Sequence, residues 1–97
     1  MEISVQKLKA KMDNQDDFVL IDVREKHEYD EFNIGGKLIP LGEIMSALPQ
    51  LEDLKSKPIV VHCRSGKRSA MAQHLLIQSG FSDVKNLTGG VLAWMDM

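Results

Sequence analysis

Segments that are apolar at successive positions alternate along the chain with segments in which apolar residues recur at helical spacing. The clearest apolar runs are residues 18–21 and 59–61, and neither contains a polar residue. Runs without polar alternation are typical of strands that are covered on both faces of a parallel sheet. Shorter strands are predicted at residues 38–39, which Pro40 closes, and at residues 84–87.

The first helix is predicted close to the start of the chain. Ser4 is its expected N-cap, because a serine side chain can accept a hydrogen bond from the first turn. Behind it, Val5, Leu8 and Met12 recur at helical spacing and define one apolar face. The charged segment 25–32 predicts a second, short and exposed helix.

Two further short helices are predicted. Ile44 and Leu48 share one face of a helix that we expect Pro49 to end, because proline restricts the residue before it. The second covers residues 91–95, and we expect its Trp94 to face inward.

The strongest helical pattern covers about residues 69–78. Its predicted apolar face comprises Met71, Ala72, Leu75 and Leu76. Gly80 is placed to terminate this helix, since glycine adopts the left-handed backbone that often follows a helix end.

Strands and helices that alternate at this spacing favour the α/β class, with a mainly parallel central sheet and helices on both faces. A chain of 97 residues is long enough for one compact domain, so we expect a single domain over residues 1–97. In such sheets the ligand crevice lies beyond the carboxyl ends of the strands. The segment that follows Val61 is therefore the first candidate for a site.

That segment is a cationic loop with the sequence HCRSGKRS, in which Cys63 follows the strand. Loop N–H groups and the start of the next helix are expected to point toward the sulfur, and such groups bind anions. Arg64, Lys67 and Arg68 lie within five residues of Cys63, and nearby cations stabilise a thiolate over a thiol. The pattern predicts a reactive Cys63 and an anionic substrate, such as thiosulfate, held by the same donors.

The composition argues against several other kinds of site, partner and location. Cys63 is the only cysteine, so an intramolecular disulfide and a cysteine-based zinc site are excluded. The net charge is −2 and no apolar run has the length of a membrane span, so we expect neither a nucleic acid nor a membrane as partner. Residues 1–13 carry charges where a secretory signal needs an apolar core. We therefore expect a cytoplasmic location.

The loop CRSGKRS resembles the active-site loop of the single-domain rhodaneses, a family of sulfurtransferases. Two flanking stretches, LIDVREKHEYDEFNIGG with IPL behind it and NLTGGVLAW, are similar to the other two signatures of that family and occur in the same order. The resemblance implies a rhodanese-like fold for nearly the whole chain. It makes Cys63 the sulfur-accepting nucleophile, and it makes the substrate-binding loop Arg64, Ser65, Gly66, Lys67 and Arg68.

The resemblance extends to residues outside the loop. Asp22 and Arg24 match a family motif that we interpret as structural, tying the second strand to its surroundings. Gly89, Gly90 and Trp94 likewise match turn and packing positions.

The chain also departs from the family pattern at one place. It has Phe32-Asn33-Ile34 where the family often has Gly-His-Ile, and Gly36-Lys37 replaces the usual pair of small residues. No histidine is therefore expected to assist the reaction from this segment.

The histidines and acidic residues suggest alternatives that we consider weaker. His62 precedes Cys63, but neighbouring strand residues point to opposite faces of a sheet, so a Cys–His pair is not expected. His27 and His74 lie on charged helical segments and are expected to be solvated. The acidic cluster is likewise expected to be a solvated helix face rather than a metal site, and it comprises Glu25, Glu28, Asp30 and Glu31.

Two other functions remain open at this point. Cysteine phosphatases and arsenate reductases of related fold have the spacing C-x5-R, whereas Cys63 and Arg68 have the spacing C-x4-R. The shorter loop suits a single sulfur atom better than a tetrahedral phosphate. The other alternative is a non-catalytic interaction module of the same fold, although such modules typically lack the cysteine that this chain keeps.

The predicted reaction is a double displacement of the thiosulfate sulfurtransferase type. The Cys63 thiolate takes a sulfane sulfur from thiosulfate, a persulfide or a polysulfide, and an external thiol or protein then removes it. Because the chain has no second cysteine, the acceptor must come from outside. No metal or organic cofactor is expected.

Overall fold

The computed structural model describes residues 1–97 and contains one sheet in which all strand pairs are parallel. Its strands are β1 (Glu2–Ile3), β2 (Val19–Asp22), β3 (Lys37–Leu38), β4 (Ile59–His62) and β5 (Val84–Leu87). Their order across the sheet is β1-β5-β4-β2-β3, so β4 is the central strand. The predicted α/β class with a parallel sheet is confirmed.

Helices cover both faces of this sheet. They are α1 (Val5–Asp13), α2 (Lys26–Glu31), α3 (Ile44–Ala47), α4 (Lys67–Gln78) and α5 (Gly90–Met95), with 3-10 segments at Leu41–Glu43 and Leu48–Leu54. Apolar residues of α3 and α4 pack on one face, and those of α1 and α5 pack on the other. None of the helices has the length and apolar character needed to span a membrane. The cytoplasmic location stays a prediction.

The central strand β4 contributes to a separate apolar cluster on each face. Ile59, Val61 and Cys63 belong to one cluster, and Val60 belongs to the other. This alternation follows from the two-residue period of a strand. Because both faces are covered, no position in the apolar run faces solvent, which explains why the run contains no polar residue.

Three strands differ in detail from the prediction. The two-residue strand β1 was not predicted, because it is too short to produce an apolar pattern. Phe18 lies outside β2, which instead includes Asp22. The third strand is shifted by one residue to Lys37–Leu38.

Two of the helix predictions were wrong in detail. Met71 is 52% exposed, because the buried stripe of α4 consists of Ser69, Ala72 and Leu76. The α-helix before Pro49 does end, at Ala47, but the chain continues from Leu48 to Leu54 as a 3-10 helix, since proline is tolerated in the first turn of a helix.

Candidate active site

The sulfur of Cys63 lies where β4 ends and the chain turns into α4. Cys63 is 1% exposed. Gly66 has a φ of 112°, in the left-handed region that favours glycine. At this position its backbone N–H donates a hydrogen bond to Cys63 Sγ over 3.0 Å. The loop therefore turns at least one amide toward the sulfur, as the sequence predicted.

A buried hydroxyl also contacts this sulfur. Ser69 Oγ lies 3.3 Å from Cys63 Sγ and 2.5 Å from Asn86 Oδ1. Asn86 Nδ2 in turn donates to the carbonyl of Gly66 over 3.1 Å, which turns Oδ1 toward Ser69. The Ser69–Asn86 pair therefore links the sulfur, the loop backbone and strand β5.

Neither Ser69 nor Asn86 was predicted as a site residue. The available signals were small: Ser69 lies in the first turn of α4, and Asn86 is a polar residue inside a predicted strand. Both side chains are buried, and buried polar groups in a small core are kept with hydrogen-bond partners. The contact between them joins positions 17 apart in sequence.

The balance of burial and hydrogen bonding sets the pKa of Cys63. Burial raises it, but hydrogen bonds from the Ser69 side chain and from the backbone of Ser69, Gly66 and Ser65 lower it more. The pKa of Cys63 therefore lies below its ordinary value. A thiolate is the nucleophilic form of cysteine, so this environment favours a reactive sulfur.

The three predicted cations do not share one environment. Arg64 and Lys67 are exposed, and neither takes part in an ion pair. Arg68 is half-buried and bound in a two-point contact, with Nη1 2.6 Å from Glu28 Oε1 and Nη2 2.8 Å from Glu28 Oε2. One of the three loop charges is thus neutralised by a neighbouring helix.

This ion pair corrects the prediction for the acidic cluster. Glu25, Asp30 and Glu31 are exposed as predicted, whereas the Glu28 side chain is 20% exposed and bound to Arg68. The Arg68 hydrogen bond holds the pKa of Glu28 at about 2, and the same contact raises the pKa of Arg68. No cluster of three or more potential metal ligands occurs in the structure.

A second arginine–carboxylate pair is fully buried beside the loop. Arg24 Nη2 lies 2.7 Å from Asp22 Oδ2, and Arg24 Nε contacts both oxygens of the same carboxylate at 3.0 and 3.1 Å. Arg24 Nη2 also donates to the carbonyl of Phe32 over 2.6 Å. The pair therefore fastens the end of β2 to the segment that follows α2.

The imidazole of His62 lies on the other face of the sheet from the Cys63 cluster. It is fully buried, neither ring nitrogen has a hydrogen-bond partner, and Nε2 is 3.8 Å from Asp22 Oδ2. Burial lowers the pKa of His62, so the ring is neutral near pH 7. His27 and His74 are exposed.

Backbone N–H groups at the start of α5 bind the backbone carbonyls of the Cys63 loop. The N–H of Val91 donates to the Cys63 carbonyl over 2.9 Å, and that of Leu92 donates to the Arg64 carbonyl over 3.1 Å. A Cβ atom at Gly90 would lie 2.5 Å from both carbonyl oxygens, so this approach requires glycine. Trp94, predicted to face inward, is half-buried against the apolar cluster that includes Val60.

A groove of about 250 Å³ opens beside the loop. Its apolar walls are formed by Phe32, Val91, Leu92 and Met95. Its charged lining residues are Arg24, Arg64, Glu28 and Glu31. Because Val91 and Leu92 bond directly to the loop backbone, the groove begins at the Cys63 loop.

Comparison with known proteins places these features in a family context. The model of the rhodanese-like domain family matches residues 4–97. A sulfurtransferase from Allochromatium vinosum is 34% identical over 99 residues, which covers 96% of this chain and 86% of that protein. YrkF of Bacillus subtilis, described as a proposed sulfur carrier protein, is 36% identical over 94 residues, but the chain spans only 50% of its length.

A solved structure shows the same likeness in three dimensions. The crystal structure of a rhodanese-like domain protein from Staphylococcus aureus superposes with a TM-score of 0.87 at 31% identity. The match covers 97% of this chain and 91% of that one. Sequence and fold therefore agree over nearly the full length.

Proposed function

The chain belongs to the rhodanese-like domain family, and from this membership we propose that it is a sulfurtransferase that carries sulfane sulfur on Cys63. The donor is an anion, either thiosulfate or a persulfide or polysulfide, and the acceptor is an external thiol on a small molecule or a protein. The observation that carries this proposal is the environment of the Cys63 sulfur. The sulfur is buried and accepts hydrogen bonds from Gly66 and Ser69, and these bonds lower the pKa of the thiol.

The first half of the reaction forms a persulfide. The Cys63 thiolate attacks the outer sulfur of thiosulfate, the sulfur–sulfur bond of the donor breaks, and sulfite leaves with the bonding electron pair. The product is a Cys63 persulfide, whose terminal sulfur carries the negative charge. Loop N–H groups of the kind that Gly66 supplies stabilise such an anion.

The second half returns the enzyme to its starting state. An acceptor thiolate attacks the terminal sulfur of the persulfide, and the Cys63 thiolate leaves with the bonding pair. Cyanide can replace the thiol in a test tube and gives thiocyanate. Since the chain holds no second cysteine, no internal thiol competes with the external acceptor.

The site geometry favours sulfur transfer over phosphate chemistry. A phosphatase of related fold needs its loop arginine to hold the phosphate oxygens, whereas Arg68 is bound at two points to Glu28. Cys63 is also separated from Arg68 by four residues rather than five. Both features support a small sulfur substrate.

The decisive experiment measures the intact mass of the protein after incubation with thiosulfate or with an organic persulfide, and then thiocyanate release on addition of cyanide. We expect a mass gain of one sulfur atom and catalytic thiocyanate formation. Cys63→Ala should remove the mass gain and lower turnover by at least about a thousandfold, as expected for loss of a nucleophile.

Cys63→Ser is the matched control, because it keeps the size of the side chain and removes only the sulfur. It should be as inactive as Cys63→Ala while unfolding at a similar denaturant concentration. If the wild type gains no sulfur from either donor, the sulfurtransferase proposal is wrong. A non-catalytic interaction module would then be the better explanation.

A further inference from the structure

The arrangement of charge around Cys63 is less cationic than the sequence of the loop suggests. Arg68 forms its two-point contact with Glu28 at 2.6 and 2.8 Å. The Glu28 carboxylate also accepts the backbone N–H of Glu25 over 2.9 Å, which fixes it at the start of α2. Only Arg64 and Lys67 retain uncompensated positive charge in the loop.

This compensation has different consequences for different donors. Thiosulfate is a dianion without an apolar part, so its binding depends on cations and loop N–H groups. The persulfide of an organic thiol carries a single negative charge on its sulfur, and its carrier can bind through apolar contacts. Neutralising Arg68 therefore weakens the first donor more than the second.

The groove beside the loop provides those apolar contacts. It begins at the loop, because Leu92 bonds to the Arg64 carbonyl through its N–H. Phe32, Leu92 and Met95 line it and are 39%, 45% and 62% exposed. Two charged lining residues take part in no ion pair, Arg64 and Glu31, and Arg64 is the one that can bind the negative sulfur of a persulfide.

We propose that Glu28 sets the donor class of this enzyme: by binding Arg68 it lowers the positive charge of the Cys63 loop and favours persulfides of organic thiols over the thiosulfate dianion. The carrier of the persulfide lies in the groove formed by Phe32, Leu92 and Met95. This inference rests on the sulfurtransferase function proposed above.

The transfer step is balanced without any further reactant. The Cys63 thiolate attacks the outer sulfur of the donor R–S–S⁻, a new sulfur–sulfur bond forms at Cys63, and the bond to the carrier sulfur breaks. The carrier leaves as the thiolate R–S⁻ with the bonding pair. Glu28 takes no part in this exchange of bonds, and it acts on the charge of the loop through Arg68.

The first test compares two donors, thiosulfate and freshly prepared benzyl persulfide, whose carrier is apolar and uncharged. The readout is the ratio of their kcat/KM values for loading Cys63 at low ionic strength. Glu28→Gln should raise this thiosulfate-to-persulfide ratio about fivefold, the size expected for one uncompensated charge near a protein surface. Arg68→Gln should lower it.

The double variant Glu28→Gln/Arg68→Gln separates charge balance from direct binding. If the pair acts through net charge, the double variant restores the ratio to within about twofold of the wild type. If Arg68 binds the donor itself, the double variant is as poor with thiosulfate as Arg68→Gln alone. That second result would overturn the inference.

A charge control comes from the same helix. Asp30→Asn removes one negative charge from α2, but Asp30 pairs with Lys26 and not with the loop. It should leave the donor ratio unchanged. An equal rise in Asp30→Asn and Glu28→Gln would attribute the effect to overall charge and would also contradict the role of the Glu28–Arg68 contact.

The groove is tested with a matched pair of methionines. Met95→Ser should reduce kcat/KM for benzyl persulfide severalfold and leave that for thiosulfate unchanged. Met71→Ser is the control, because Met71 is 52% exposed on α4 and lies outside the groove. Equal effects of the two substitutions would exclude the groove as the carrier site.

The same measurements test the sulfurtransferase function and the donor-class inference separately. Loading of wild-type Cys63 by either donor supports the sulfurtransferase function whatever the ratio is. Loading with a ratio that Glu28→Gln leaves unchanged refutes the donor-class inference alone. If neither donor loads Cys63, the sulfurtransferase function fails, and the inference fails with it.

Discussion

Two loops leave the same edge of the sheet side by side, one after β2 and one after β4. The strands are paired in register, with Asp22 opposite His62. Each loop folds around one acceptor at the strand end. In the first loop the acceptor is the carboxylate of Asp22, and in the second it is the sulfur of Cys63.

The two acceptors differ in their donors. Asp22 is fully buried and is matched by Arg24, which donates to it from both the guanidinium and the backbone N–H. Cys63 receives its hydrogen bonds from backbone N–H groups of the loop and from a hydroxyl, and no cationic side chain bonds to its sulfur. The Asp22 carboxylate is therefore held by a charged partner, whereas the Cys63 sulfur is held by uncharged donors only.

The largest expected effect tests the first loop. Asp22→Ala should lower the free energy of unfolding by about 3–5 kcal/mol, because it leaves the buried charge of Arg24 without its partner. Urea denaturation followed by circular dichroism measures this. Asp53→Ala, an exposed aspartate outside any ion pair, should change stability by less than about 0.5 kcal/mol. A loss below about 1 kcal/mol in Asp22→Ala would mean that the two loops do not differ as described.

An intermediate effect is expected in the second loop. Ser69→Ala removes a hydrogen bond that lowers the pKa of Cys63, so the pH midpoint for alkylation by iodoacetamide should move upward. The single proton of the Ser69 hydroxyl is shared with Asn86 Oδ1, so the substitution also leaves that oxygen without its donor, which should cost about 1–3 kcal/mol of stability.

Ser65→Ala is the control for that shift. Ser65 contributes to the pKa of Cys63 through its backbone, and the substitution keeps the backbone N–H. Its alkylation midpoint should match that of the wild type. An unchanged midpoint in Ser69→Ala would show that the hydroxyl does not stabilise the thiolate.

The smallest effect concerns the contact between the two helices that follow these loops, Glu28 of α2 with Arg68 of α4. The pKa of Glu28 is lowered from 4.5 to about 2 in the folded protein. A carboxylate with a lowered folded pKa adds stability above its unfolded pKa and loses it as the pH falls from 4.5 toward 2. Because the pair is partly exposed, its contribution should be at most about 1 kcal/mol.

Unfolding free energies at pH 7 and pH 3 measure this contribution. The drop between the two pH values should be smaller in Glu28→Gln than in the wild type. An identical drop in both proteins would mean that the ion pair does not persist in solution.

The features that could be predicted from sequence are those that depend on neighbouring residues. The apolar run at residues 59–61 indicates a strand covered on both faces, and the cationic loop directly behind it locates Cys63. Both follow from a few consecutive positions. The parallel sheet follows from the order in which such segments alternate.

The features that were missed depend on contacts between distant positions. Glu28 and Arg68 are 40 residues apart, and no local pattern distinguishes Glu28 from its exposed neighbours on α2. Asn86 was missed for the same reason, because it contacts Ser69 and Gly66 only when β5 lies beside β4. Met71 was placed on the wrong face of α4 because Ser69, a polar residue, takes a place in the buried stripe.

The close approach of Gly90 to the carbonyls of Cys63 and Arg64 has a consequence for protein engineering. The Cys63 loop and the start of α5 form one hydrogen-bonded unit, although about 25 residues of chain separate them. A Cys63 loop transplanted alone into another parallel sheet would lose the two amides that fix its carbonyl side. A functional graft must therefore carry the Gly89-Gly90 turn and the first residues of α5 together with the loop.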